Sequence, residues 1–128
     1  MSLKRKEIDE IERLTGQLTG HHAEISALSK KSPSDAVNAF KLKFINATVA
    51  GCNALLGKKY KPFDEFDCFD LDDVPSNSDV TFILAQYIQA IEKLRSDNIY
   101  ISRGFWWYRI LGSEESIRTA PPEKLKKE

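Results

Sequence analysis

Two cysteines, Cys52 and Cys68, are the whole sulfhydryl inventory of these 128 residues, so no disulfide framework can hold the fold together. So few unpaired thiols suit a reducing compartment, and the expected location is cytoplasmic. Net charge is also missing, because 19 basic residues balance 19 acidic ones. That removes the composition argument for a nucleic-acid binder, which rests on excess positive charge. No apolar run approaches the roughly 20 residues that cross a bilayer. The opening Met1-Ser2-Leu3-Lys4-Arg5-Lys6-Glu7 turns polar at once and has no signal-peptide core. No membrane association is expected.

Catalytic and metal-binding patterns are missing too. His21 and His22 are adjacent, so on a helix they point about 100° apart and cannot grip one ion together. No His-Glu-x-x-His motif and no pair of Cys-x-x-Cys motifs occur. The acidic stretch from Asp64 to Asp73 fails the EF-hand pattern. Counting from Asp67, Phe69 falls where a ligand is needed and Asp72 where a glycine is needed. A solvated acidic rim is the expected role, with a weak divalent-cation contact as the alternative. Glu7 and Glu10 sit three residues apart, but no paired carboxylates elsewhere would join them on magnesium. Cys52 has no placed histidine partner, and Cys68 lies among aspartates, surroundings unsuited to a thiolate nucleophile. There is no Gly-rich phosphate loop. The expectation is a protein that is not an enzyme and uses no metal and no cofactor.

What is present is helical periodicity. Over residues 5–30, Ile11, Leu14, Leu18, His21, Ile25 and Leu28 follow an alternating spacing of three and four, an a/d heptad seam with one polar member. Ile8 extends it by one turn. Gly16, Gly20, Ala23 and Ala27 form a separate lean stripe. A second helix is expected over 34–56, capped by Ser34 and ended by Gly57. Its apolar residues, from Val37 and Phe40 to Leu56, spread over more than half the circumference, so it should lie in the middle of a core with Cys52 as a small buried hydrophobe. A third helix is expected over 79–97. Val80, Ile83, Leu84, Tyr87, Ile88, Ile91 and Leu94 form its stripe, and Ser76 with Asp79 has capping-box spacing. Phe82 falls off that stripe and needs a second contact, from the preceding loop or another chain. In that loop Phe63, Phe66 and Phe69 recur every three residues, a spacing that allows a short helical turn, and the rings should pin the loop across the bundle.

After Asn98 the period changes. Ile99-Tyr100-Ile101 and Phe105 through Leu111 are β-branched and aromatic around Ser102-Arg103-Gly104, which suits a short hairpin, with a fourth helix from Ser102 as the rival. In a strand Trp106 and Tyr108 share one face and Trp107 takes the other. One tryptophan should pack on the helices while the other stays available between arginines. Arg103, Trp106, Trp107, Tyr108 and Arg109 are therefore the candidate partner-binding residues, since aromatics and arginines dominate binding hot spots.

The expected fold class is mainly α: three long amphipathic helices in a bundle with a C-terminal aromatic hairpin over 1–112, followed by a flexible tail over 113–128. The neutral total hides charge blocks. Residues 33–61 hold five lysines against Asp35 alone, while 63–79 hold seven acids and no base. Blocks of opposite sign can attract within one chain or between two. Three such helices carry more apolar faces than a three-helix monomer readily closes. The functional expectation is a non-catalytic protein-interaction module that self-associates as a homodimer, with Ile11, Leu14, Leu18, His21, Ile25 and Leu28 as the shared seam. The alternative is a small nucleic-acid-binding regulator using the 99–111 hairpin.

Overall fold

In a computed structural model of the chain, residues 2–112 and 114–123 are described. Helix α1 (Arg5–Lys31) carries Ile8, Ile11, Leu14, Leu18 and Ile25 on one buried side. Helix α2 (Ala39–Tyr60) and helix α3 (Asn77–Ser96) complete a three-helix bundle. Strands β1 (Ile99–Ser102), β2 (Phe105–Tyr108) and β3 (Arg118–Thr119) form an antiparallel sheet in that order. The fold is mainly α with a small C-terminal sheet, and no helix among the described residues is long and apolar enough to cross a membrane.

The caps explain the helix limits. Ser76 Oγ accepts from the Asp79 amide at 3.1 Å and Asp79 returns the bond to the Ser76 amide, so α3 starts on the capping box expected of it. Helix α2 starts later than expected. Ser34 does not cap it; Asn38 does, accepting from the Lys41 amide at 2.8 Å. The intervening residues are extended because they pair with the chain entering α3. The Val37 amide donates to the Pro75 carbonyl and the Asn77 amide to the Asp35 carbonyl. At the other end Gly57 takes φ +62°, a left-handed value that side chains disfavour, and interrupts the helix where its sequence suggested.

The loop before α3 is pinned, as its phenylalanines suggest. Phe66 lies 5.0 Å from Phe69 and 6.3 Å from Tyr87, and Phe63 supplies the off-stripe Phe82 with its contact at 6.2 Å. Two asparagines of α2 hold the loop backbone. The Asn46 amide group bonds both the carbonyl and the amide of Phe69, and Asn53 donates to the Asp67 carbonyl. Asn53 also accepts from the Tyr87 hydroxyl at 2.6 Å. The helical turn falls not on the phenylalanines but at Leu71–Asp73, a single 3-10 turn capped by Asp70.

Two further expectations are corrected. Helix α2 is not central. Its inner side (Leu42, Ile45, Val49, Cys52, Leu56) joins the core, but Phe40 and Phe44 remain 73% and 48% exposed. In a bundle of three, each helix meets two neighbours, so part of a broadly apolar helix faces outward. Nor are residues 113–128 a loose tail in their described part. Arg118 pairs with Trp107 and Thr119 with Trp106. Arg95 of α3 then binds Thr119 Oγ1 and the carbonyls of Ala120 and Pro121 at 2.8–2.9 Å.

Candidate interaction surfaces

The sheet is a hairpin, not a fourth helix. Ser102 faces Phe105 across a two-residue turn in which Arg103 and Gly104 have φ values of 53° and 81°. Two positive φ values in succession match the type I′ turn whose twist suits a hairpin. The register settles which side chains share a face. Ile99 faces Tyr108 and Ile101 faces Trp106 on one side, and Tyr100 faces Trp107 and Ser102 faces Phe105 on the other.

The first side packs on the helices except at Ile101, which is exposed next to the turn. Ile99 and Tyr108 are buried in the core, and Trp106 packs against it. Burial pushes the Tyr108 phenol above its ordinary pKa. The second side turns outward and carries Tyr100, Phe105 and Trp107. The Arg109 guanidinium lies 5.2 Å from the Tyr100 ring centre and that of Arg118 lies 3.7 Å from the Phe105 ring centre. Trp107 Nε1 donates to the Ser102 carbonyl at 3.2 Å, which fixes the indole along the hairpin. The sheet thus presents three rings and two stacked guanidinia, with exposed Arg103 at the tip.

Of the five partner-binding residues expected from sequence, Arg103, Trp107 and Arg109 lie on or beside this outer face. Trp106 and Tyr108 belong to the inner face. Tyr100, Phe105 and Arg118 were missed. Strand alternation opposite Trp107 identifies Tyr100, and Phe105 follows from the two-residue turn. Arg118 has no local signal, because its place depends on a strand of two residues brought from ten positions away.

The α1 seam is placed elsewhere than expected. Ile11, Leu14, Leu18 and Ile25 are enclosed in the chain's own core, so they have no surface to offer a second copy, and Leu28, half-buried, packs against that core. His21 is half-buried at the edge of that seam. Its Nε2 lies 2.9 Å from Thr48 Oγ1, and that hydroxyl donates to Gln17 Oε1 at 3.1 Å. Thr48 therefore accepts from an Nε2-protonated His21, and burial lowers the imidazole pKa. Beside it a shallow apolar groove runs between α1 and α2, lined by Ile25, Phe40, Phe44 and Ile45.

No group of three His, Cys, Asp or Glu side chains is placed to hold a metal among the described residues. Two carboxylates of the acidic loop have local partners. Asp70 caps its own 3-10 turn, and Lys61 Nζ pairs with Asp67 at 2.6 Å. Cys52 is fully buried, and burial pushes its thiol pKa up to about 12. No family model, no curated protein and no solved structure matches this chain.

Proposed function

We propose that this protein is a non-catalytic interaction module whose working surface is the outer face of its sheet, and that its partner is a protein. The observation that carries this reading is the gathering of Tyr100, Phe105 and Trp107 with Arg109 and Arg118 on one outward face, with Arg103 in the turn at its tip. Rigid aromatics and arginines supply large contact area and directional donors at low entropic cost, and they are enriched at interface hot spots. The remaining candidates of the inner face, Trp106 and Tyr108, act by holding the platform on the bundle. The free thiols of Cys52 and Cys68 fit a protein of the reducing cytoplasm.

A nucleic-acid reading is favoured by the two arginines of the same face and by Arg103 at its tip. It is disfavoured by their geometry. Bases bind such platforms by stacking on open rings, whereas Arg118 covers Phe105 and Arg109 approaches Tyr100. Affinity capture from extract with the tagged chain tests the protein reading when run beside Trp107→Ala and Arg118→Glu. Partners retained by the native chain and lost by both variants support it. An identical capture profile for all three refutes it. Quenching of tryptophan fluorescence by a single-stranded oligonucleotide, weakening steeply with salt, would establish the nucleic-acid reading instead.

A further inference from the structure

Residues Phe44 to Gly57 form a run of 14 without a single charge in a chain that is 30% charged. A second uncharged run, Val80 to Ile91, is covered by the bundle, with Phe82 its one exposed member. The α2 run is covered on its inner side only. Phe44, Ala47, Ala50 and Ala54 are all exposed, and Phe40 continues the strip toward the helix start. At 100° per residue these five fall within about 60° either side of Ala47, so they form one outward stripe. It is flanked by α1 through the Lys41–Glu24 ion pair and by the phenylalanine loop through Asn46 and Asn53.

The stripe is graded in size. Its N-terminal half holds two phenylalanines whose rings meet edge to face at 5.1 Å, and its C-terminal half holds only alanines. We propose that this face binds a second copy of the chain, with the two α2 helices packed antiparallel about Ala47. Antiparallel packing lays Phe40 and Phe44 of each copy on the alanine half of the other, large side chains over small ones. Parallel packing would stack phenylalanine on phenylalanine and leave the alanines facing a gap. The ends agree in charge. Asp35 precedes the helix and Lys58 follows Gly57, both exposed, so the antiparallel arrangement brings each lysine toward the other copy's aspartate. From Ala47 through the alanine half the patch carries no charge, the composition of an interface centre, while Lys43, whose ammonium lies 5.9 Å from the Phe44 ring centre, is a charge within its phenylalanine half.

Area sets the strength. A phenylalanine buries about 150–250 Å², so exposures of 73% and 48% leave roughly 250 Å² on Phe40 and Phe44 together. With the alanines and the stem of Lys43, each copy offers roughly 400–500 Å², or about 800–1,000 Å² in all, the size of a weak, reversible interface. The dimer is therefore concentration-dependent. It uses a face remote in sequence from the sheet and does not depend on the sheet reading.

Sedimentation equilibrium of the full chain is the test. The mass average should climb from 14.6 kDa toward twice that value over about 10 µM to 1 mM. Ala47→Glu should hold it at one chain, because the two carboxylates would meet at the centre. An equimolar mixture of Ala47→Glu and Ala47→Lys should recover the dimer. Each position is exposed, and unchanged circular dichroism confirms that the variants fold. Orientation is read by cross-linking in a Cys68→Ser background. A chain carrying Phe40→Cys and Ala54→Cys should form interchain disulfides readily, while Phe40→Cys alone should not. A native chain that stays at 14.6 kDa at 1 mM, or a dimer indifferent to Ala47→Glu, overturns the proposal. Efficient cross-linking by Phe40→Cys alone overturns the antiparallel arrangement.

Discussion

Arg95 is the residue on which the C-terminal strand depends. It sits in the last turn of α3 with a side chain 11% exposed, and every one of its donors is used. Nε and one Nη bind the two oxygens of Glu92 at 2.7 and 2.9 Å. The remaining N–H groups reach Thr119 Oγ1 and the carbonyls of Ala120 and Pro121. Glu92 also accepts from the Glu123 amide at 2.9 Å, so one ion pair ties α3 to the chain on either side of the proline pair.

Replacing Arg95 with alanine leaves the Glu92 carboxylate enclosed without its counter-charge. Removing one partner of a buried pair costs about 3–5 kcal/mol when nothing can relax. Here the segment after Ile117 can lift away and hydrate both the carboxylate and the freed carbonyls. The expected loss is therefore about 2–3 kcal/mol. A domain of this size loses about 3–5 °C of Tm per kcal/mol, giving a fall of about 6–15 °C. The local signature is sharper. The Tyr108 amide, bonded to the Ile117 carbonyl at 3.0 Å, should exchange faster, and trypsin should cut after Arg118 in the otherwise folded protein. Arg95→Lys keeps the charge but not the fork, and should fall between the two. A Tm change under about 2 °C with unaltered exchange at Tyr108 would refute this account of how β3 is held.

Four further outcomes follow from the same contacts. Leu18→Glu places a charge in the enclosed core and should unfold the single chain, at a cost of several kcal/mol; retained helical circular dichroism would show that the α1 seam is not core. Trp106→Ala should cost about 2–3 kcal/mol and Trp107→Ala under about 1 kcal/mol, measured by chemical denaturation, because only Trp106 packs on the bundle. Since burial lowers the folded His21 pKa, the unfolded chain binds the proton first. Stability should be full above the ordinary histidine pKa and decline as pH falls from there toward the lowered folded value, and His21→Gln should remove that part of the decline. One thiol, Cys68, should react with a disulfide reagent in the native protein and two in denaturant, since Cys52 is fully buried with its thiol pKa at about 12.

The parts of the fold legible in the sequence are those fixed by local chemistry. The α1 stripe, the Ser76–Asp79 box, Gly57 at the end of α2 and the change of period after Asn98 each act within a few residues. What was not legible depends on partners far along the chain. The start of α2 moves from Ser34 to Asn38 because 35–37 pair with 75–77, and no property of Ser34 reveals that. Strand β3 has two residues and no period; it exists because β2 offers an edge and Arg95 a clamp. The outer sheet face was half legible. Alternation separates Trp107 from Trp106 and Tyr108, but the faces can be named only once the two-residue turn fixes which strand residues are opposite.

The apolar surplus shows the same division between pattern and address. A heptad seam states that its members face one way, not what they face. On α1 that direction is inward, and Ile11, Leu14, Leu18 and Ile25 close the chain's own core. Helix α2 has apolar residues over more than half its circumference, which from sequence alone reads as a helix surrounded by others. A three-helix bundle cannot surround any member, so the excess must surface, and it does so at Phe40 and Phe44. The count of apolar faces therefore anticipates exposed hydrophobic surface correctly, while the heptad assigns it to the wrong helix. In a small bundle, the helix with the broadest apolar arc is the better place to look for a contact surface than the helix with the cleanest seam. A clean seam matches the width of the groove its neighbours provide, and a broad arc exceeds it.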